Sequence, residues 1–574
     1  MRRTKLGFHI ILATLFLLVA SPSLKAQEPG FTPPDDPLPT DPKVTVGTLE
    51  NGLRYYIRGN GRPENRAELR LVVNVGSVME DDDQQGLAHL LEHMAFNGTA
   101  NFEKQELVDY LESIGMAFGP EVNAYTSFDE TVYMLQVPTD DPEIMATAFQ
   151  ILEDWAHQVT LDSEEIDKER GVVIEEWRLG RGAAARMMDQ QFPVIFNGSR
   201  YADRLVIGKV DILETFPPDA LRRFYADWYR PDLMAVVAVG DFDPSTVEAS
   251  IREHFSRVPS REDPRPRAIY ELPGHPETLF AVASDAEATA SQVALLYKQP
   301  LRAQGTLAAY RQRLVETLFT GMLNGRLFEL TQQADPPFAG AGAGQGRFVR
   351  SAEIFQLSAM VPDGGIPRGM EALLTEAERV SRHGFTASEL EREKADLLRG
   401  LERTFAEQEN QPSARFAGAY VNHFLQNEPI PGIEFEFQAA QALLPTISVD
   451  EVTRVAQTWL VDHSRVVMVN APEKEDFPLP AEAELSSIFQ EAVAAEIEAY
   501  EDTATEEPLL AEIPTPSPVV VESSIPELGI TEWTLANGVR VVLKPTDFKD
   551  DEVLVQAFSP GGYSLSTLEE HMSA

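Results

Sequence analysis

Cysteine is absent from this chain of 574 residues. Without thiols there can be no disulfide framework, no thiol nucleophile and no zinc–thiolate site, so any metal must be held by His, Asp or Glu. Histidine is scarce as well, with ten in all, which makes any pair at metal-binding spacing conspicuous. Lysine and arginine total 48 against 91 acidic residues, a formal net charge of −43. So acidic a chain lacks the basic surface that displaces counterions from nucleic acid, and no nucleic-acid partner is expected. Long apolar runs are also missing, apart from Leu6 to Ala20. Arg2, Arg3 and Lys5 precede that run, and Ser21-Pro-Ser-Leu-Lys-Ala26 follows it. This is the pattern of an export signal over residues 1–26, cut before Gln27. An uncleaved anchor is the other reading, but the run falls short of the ~20 residues of a full span. The expectation is an exported protein with no stable membrane span after cleavage.

The composition that remains, 43% hydrophobic and 9% aromatic, suffices to bury cores, and the length requires several of them. After a Pro/Asp-rich lead from Phe31 to Pro42, Asn51-Gly52 between strand-like runs predicts a β-hairpin. Leu69, Leu71, Val73 and Val75 alternate as in a strand with one buried face. A helix is predicted from about Gln84 to Phe96, with Asp81 to Asp83 supplying negative charge at its start and Asn97-Gly98 ending it. A second helix (Glu103 to Ile114), strands between Asn123 and Val137, two further helices and a strand from Met234 to Val239 follow. Strands and helices mixed in this order predict an α+β fold in two-layer sandwich domains.

The first domain is expected over 38–265, closed by a Pro/Arg/Glu-rich connection from Pro259 to Pro273. A second, over 272–472, has long helices at Thr306–Gln333 and Ala387–Glu407. Its run Ala339-Gly-Ala-Gly-Ala-Gly-Gln-Gly346 lacks the Lys-Ser/Thr of a phosphate loop and is read as a flexible or edge-strand segment. Residues 473–528 are acidic and proline-containing, with a helix at Ser486–Tyr500 and an extended linker from Thr503 to Pro526. Thr534-Leu-Ala-Asn537-Gly538-Val-Arg540 then repeats Thr48-Leu-Glu-Asn51-Gly52-Leu-Arg54, and Val553 to Phe558 echoes the strand at Leu71. A second copy of the first fold therefore begins at about 529 and breaks off at Ala574. The expectation is a truncated second half, which a missing segment or a partner subunit would complete. Thr567-Leu-Glu-Glu570-His571 falls out of the repeat's register and is read as coincidence.

The chemistry concentrates in His89-Leu-Leu-Glu92-His93. Histidines four apart share one helix face and can grip one ion, while Glu92 precedes the second ligand as in the inverted zinc-peptidase arrangement. Hydrolysis at zinc needs three protein ligands and one open position. With no cysteine, the third ligand should be a carboxylate, and the acidic helix from Glu164 to Trp177 is the best source. Asp162 and Glu165 can form a capping box at its start. Glu169, Val172, Val173 and Glu176 fall on one stripe, so either glutamate could turn inward, whereas Glu164, Glu165 and Glu175 are expected in solvent. Glu92 is the expected general base, taking a proton from metal-activated water and passing it to the leaving amine. Asn123-Ala-Tyr-Thr126 reads as an edge strand to which an extended substrate could add, or as an ordinary interior strand.

These residues resemble the pitrilysin/insulysin family of inverted-motif zinc peptidases, in its bacterial periplasmic branch. The matching stretches are Gly86-Leu-Ala-His89-Leu-Leu-Glu92-His93-Met-Ala-Phe-Asn-Gly-Thr99, Asn123-Ala-Tyr-Thr-Ser127, Lys168-Glu-Arg-Gly-Val-Val-Ile-Glu-Glu176 and Gly240-Asp-Phe-Asp243. The resemblance implies repeated α/β sandwich domains of the pitrilysin and mitochondrial-processing-peptidase type. It implies one Zn2+ per chain on His89, His93 and Glu176, with Glu92 as base and Glu169 as a carboxylate behind the ligands. It further implies that Asn123 and Ala124 line the substrate strand, and that substrates are peptides or small unfolded proteins. The alternative is a non-catalytic binding or assembly subunit, or an inactive fragment of such a peptidase.

Overall fold

Strands β1 (Thr45–Thr48) and β2 (Arg54–Gly59) pair antiparallel across the Asn51-Gly52 turn, as the sequence predicts. The computed structural model of the protein describes residues 35–502, 508, 510–549, 552–562 and 565–567. Strands β3 (Arg66–Val73), β4 (Val122–Thr126), β5 (Thr131–Pro138) and β6 (Met234–Gly240) complete a six-stranded sheet of order β1-β2-β6-β3-β5-β4. β6 lies parallel to β2 and antiparallel to β3, and β4 pairs with β5 alone at the sheet's edge. The helices Leu87–Met94, Pro142–His157, Pro218–Trp228 and Pro244–Phe255 contribute to one core, which joins Leu69 and Leu71 to Leu90, Trp155 and Phe224.

The alternation in β3 predicts one buried face, yet both are buried. Val72, with Tyr56, Val132 and Val237, packs against Tyr420 and Val421 of the helix Ser413–Gln426. Periodicity within a strand reports its own pleat and not a helix delivered from the far side of the chain.

The second sheet comprises β7 (Leu279–Asp285), β8 (Ser291–Gln299), β9 (Gly340–Val349), β10 (Ala352–Val361) and β11 (Arg465–Pro472), in the order β7-β11-β8-β10-β9. The glycine-rich run is the edge strand β9. Its small residues let the helix Leu307–Thr331 approach its backbone, where Asn324 bonds both the N–H and the carbonyl of Ala343 at 2.7 and 3.0 Å.

Part of the expected linker folds as a strand. β12 (Val519–Ile525) pairs antiparallel with β13 (Ile530–Leu535), and β13 with β14 (Arg540–Leu543) across the repeated Asn-Gly turn. The run Val519-Val-Val521 has the branched side chains strands favour, and this outweighs the surrounding proline and acid. By contrast, Val553 to Phe558 forms no strand and is exposed; among the described residues no neighbouring strand satisfies its backbone. The predicted helices at Gln84–Phe96 and Glu103–Ile114 are shorter, at Leu87–Met94 and Glu106–Ser113, and that at Ser486–Tyr500 lies at Glu482–Ala494. The export-signal segment and the Glu570-His571 pair fall outside the described residues. Among the described residues no helix is long and apolar enough to cross a membrane.

Candidate metal centre

The helix Leu87–Met94 turns Leu87, Leu90, Leu91 and Met94 into the core and leaves His89 and His93 on the opposite side. Its start is fixed by a close backbone crossing. Gly86 has φ 101°, and a Cβ on Gly208 would stand 2.3 Å from the Gly86 Cα, so neither position admits a side chain. The negative charge at this N-terminus is not the expected Asp81 to Asp83, which pair with Arg265, Arg204 and Arg223. Glu80 caps the helix start as a hydrogen-bond acceptor: its carboxyl oxygens accept from the backbone N–H of Gly86 at 3.0 Å and of Ala88 at 2.8 Å. Burial pushes the Glu80 carboxyl up to about 8, against the opposing pull of those N–H groups and of Arg204.

Glu80 carries a prediction. Between its ordinary value of 4.5 and about 8, the folded chain binds one proton more than the unfolded chain, so stability falls as pH rises through that window. In denaturant titrations the wild type should lose stability relative to Glu80→Gln across this range. Parallel profiles would contradict the assignment.

The acidic helix spans Ser163–Leu179. Asp162 caps it, accepting from the N–H of Glu164 at 2.9 Å and of Glu165 at 3.2 Å. The reciprocal half of the capping box is missing, because Glu165 instead pairs with Lys168 and Lys104 and is not left in solvent. Val173 and Ile166 are buried, but Val172 is 51% exposed. The helix seats itself along a narrower stripe than the sequence suggests, with Glu169 and Glu176 at its rim.

The two glutamates take different places. Glu176 Oε2 lies 3.3 Å from His93 Nε2 and 3.8 Å from His89 Nε2. Glu169 stands behind His93, 2.8 Å from its Nδ1, and Asn97 Nδ2 donates to its other oxygen at 2.5 Å. The two Nε2 atoms approach to 3.3 Å. With Glu169 accepting at Nδ1, the Nε2 of His93 keeps its lone pair and faces another imidazole nitrogen and a carboxylate. Three electron-pair donors converging in this way call for a cation. Tetrahedral ligands about 2.0–2.1 Å from zinc stand about 3.3–3.4 Å apart, which matches two of the three separations. Among the described residues, these are the one group of three His, Asp or Glu side chains whose donor atoms all lie within 4.8 Å of one another. The donor set therefore fits zinc.

Charge in the site follows from burial and neighbours. Burial, then the proximity of His93, lowers His89 to about 4, so it is neutral and ready to ligate. Burial also works against charge on His93, but the Glu169 hydrogen bond and the Glu169, Glu176 and Glu92 carboxylates together raise its pKa. Burial raises Glu92 above the ordinary carboxyl value, partly offset by a 2.6 Å hydrogen bond from Thr126 Oγ1 to its Oε2.

Asn123 and Ala124 lie on β4, the edge strand, so the interior-strand reading is excluded. Sequence reasoning missed Glu80, Asn97 and Thr126. In the sequence Asn97 carries a helix-stop signal, and Thr126 sits inside the strand motif with no partner visible.

Residues 58–181 match the insulinase family (peptidase family M16), and residues 215–397 match the peptidase M16 inactive domain. The second match begins ahead of β6, a strand of the first sheet, and before the Pro259–Pro273 connection. Over 531 residues the chain is 36% identical to an Arabidopsis thaliana protein described as "Zinc protease PQQL-like", covering 92% of this chain and 52% of that one. It is 28% identical over 533 residues to the probable zinc protease PqqL of Escherichia coli K12, covering 92% and 56%. The crystal structure of the first half of the periplasmic protease PqqL from Escherichia coli superposes with a TM-score of 0.76 at 28% identity, covering 81% of this chain and 100% of that one. The chain thus spans about half the length of the curated relatives it matches.

Proposed function

We propose, from the premise that this chain belongs to the insulinase family of peptidases (family M16), that it is a zinc-dependent endopeptidase acting on peptides or small unfolded proteins. The observation that carries this reading is the convergence of His89, His93 and Glu176 beside the buried Glu92. One Zn2+ per chain would be held by those three side chains; when bound, it polarises the scissile carbonyl and lowers the pKa of water toward ~7. Thr126 ties down one oxygen of Glu92, leaving the other to accept the proton of the attacking water and return it to the leaving amine. Glu169 fixes the His93 tautomer and ring plane, and Asn97 fixes Glu169. The outer edge of β4, at Asn123 and Ala124, would pair with an extended peptide backbone, which selects unfolded over folded substrates.

Catalysis belongs to the first domain (38–265) in this reading; the domain over 272–472 supports it, and the repeat after 529 begins a second half. A mature protein outside the cytoplasm is supported by the export-signal pattern and by the Escherichia coli relative, which is described as a periplasmic protease. A non-catalytic assembly subunit is the weaker reading, since no ligand of the set is missing.

Cleavage of an internally quenched peptide by the purified protein, supplied with the remaining half where needed, should disappear with 1,10-phenanthroline and return with stoichiometric zinc. Activity undiminished by the chelator would refute the metal-dependent reading. Zinc retained without any cleavage would favour the binding subunit.

A further inference from the structure

The tip of the β9–β10 hairpin, from the second sheet, is built into the region that carries the metal ligands. Val349 and Ala352 are buried in the first core, and Phe348 stacks on Phe196 with ring centroids 5.4 Å apart. Between them, Arg350 reaches the turn that joins β4 to β5. Its Nη2 donates to Glu130 Oε2 at 2.8 Å and its backbone N–H to Asp129 Oδ2 at 3.4 Å. Its Nη1 donates to Asn74 Oδ1 at 3.0 Å and to the carbonyl of Leu425.

This turn places two adjacent carboxylates in a largely dry setting. Asp129 is held by the Tyr201 hydroxyl at 2.8 Å and by Arg267 at 3.1 Å, whereas Glu130 has its ion pair with Arg350. Burial and Asp129 already raise the Glu130 carboxyl, with Arg350 opposing them; without the guanidinium this largely buried group would be relieved only by taking up a proton or by moving the turn. The turn has little freedom otherwise. Ser127 and Phe128 carbonyls accept from the N–H groups of Ser77 and Val78 at 3.1 and 2.9 Å. A Cβ on Gly76 would lie 2.1 Å from the Ser127 oxygen, so the two backbones are in direct contact. The residue that enters the turn is Thr126, which holds Glu92.

We propose that Arg350, although it belongs to the second sheet, is a positioning residue for Glu92: its pair with Glu130 sets the β4–β5 turn, and the turn sets Thr126 and the exposed edge of β4. The inference rests on the reading of Glu92 as the base. The metal ligands sit on two other elements, the helices Leu87–Met94 and Ser163–Leu179, so losing Arg350 should spare zinc binding. A contact that merely glued the two regions together would change stability and leave turnover alone.

The test is Arg350→Met, which keeps the aliphatic stem and removes the charge, in the zinc-loaded chain under the conditions that support cleavage. We expect kcat to fall about tenfold or more with KM within about twofold, as for a base displaced by a fraction of an ångström. Zinc stoichiometry should be unchanged, and amide exchange at Ser77 and Val78 should quicken. Adding Glu130→Gln removes the stranded charge and should bring kcat back to within about threefold of the wild type. This charge-neutral double variant also serves if Arg350→Met does not fold. Unchanged kcat with a lowered Tm, no recovery on adding Glu130→Gln, or loss of zinc would each overturn the proposal. If the wild type itself fails to cleave, the assignment of Glu92 falls, and the exchange of Ser77 and Val78 still decides whether Arg350 sets the turn.

Discussion

Glu92→Gln should bind zinc as the wild type does and lose about 10²- to 10⁴-fold in turnover, the range general-base catalysis contributes. The amide is nearly isosteric with the carboxylate and can still accept from Thr126 Oγ1, so the helix and both histidines should stay in place. What it lacks is an oxygen that can take and return a proton. Glu92 is not among the three converging donors, so metal content should be indifferent to its charge. Activity within a fewfold of the wild type would mean that another group moves the proton, and the buried carboxylate would then need a different explanation. A parallel loss of zinc would instead make Glu92 a ligand.

Glu176→Gln should separate the two acidic residues of the second helix. Removing the carboxylate from the donor set leaves two imidazoles and a weak amide oxygen, too few strong ligands for a stable zinc site. Its affinity should drop by more than the about 10- to 100-fold expected of Glu169→Gln, which removes only the hydrogen-bond partner of His93. The order of the two effects is the informative part. The geometry puts Glu176 Oε2 at 3.3 Å from His93 Nε2 and Glu169 on the far side of the same ring. Reversal of the order, with Glu169→Gln the more damaging to zinc affinity, would exchange their roles.

Local chemistry was legible in the sequence wherever the signal lay within one turn of helix or one hairpin. His89, Glu92 and His93 are marked by spacing alone, and the turns at Asn51-Gly52 and Asn537-Gly538 by residue type. The acidic helix was visible as a source of a third ligand, but its stripe admitted both Glu169 and Glu176; only the packed pair of helices places one beside both Nε2 atoms and the other behind a ring. What stayed hidden depends on segments that meet only after folding. Glu80 reaches the start of the histidine helix across a loop, while the more obvious Asp81 to Asp83 are taken by arginines. Thr126 meets Glu92 because the β4 edge runs beside the helix. Arg350 meets Glu130 because a glycine-rich hairpin crosses from one sheet to the core of the other. The second buried face of β3 is hidden in the same way, by the helix Ser413–Gln426. At β12, by contrast, branched residues within a proline-rich acidic segment carried a strand signal that composition masked.

The most direct test of the central claim is a zinc titration of the metal-stripped chain, followed by calorimetry and carried out in parallel on the His89→Ala, His93→Ala and Glu176→Gln variants. The convergence of these side chains predicts one high-affinity site per chain, lost or severely weakened in all three variants. Absence of stoichiometric binding by the wild type, or a Glu176→Gln variant that binds zinc as tightly as the wild type, would contradict it.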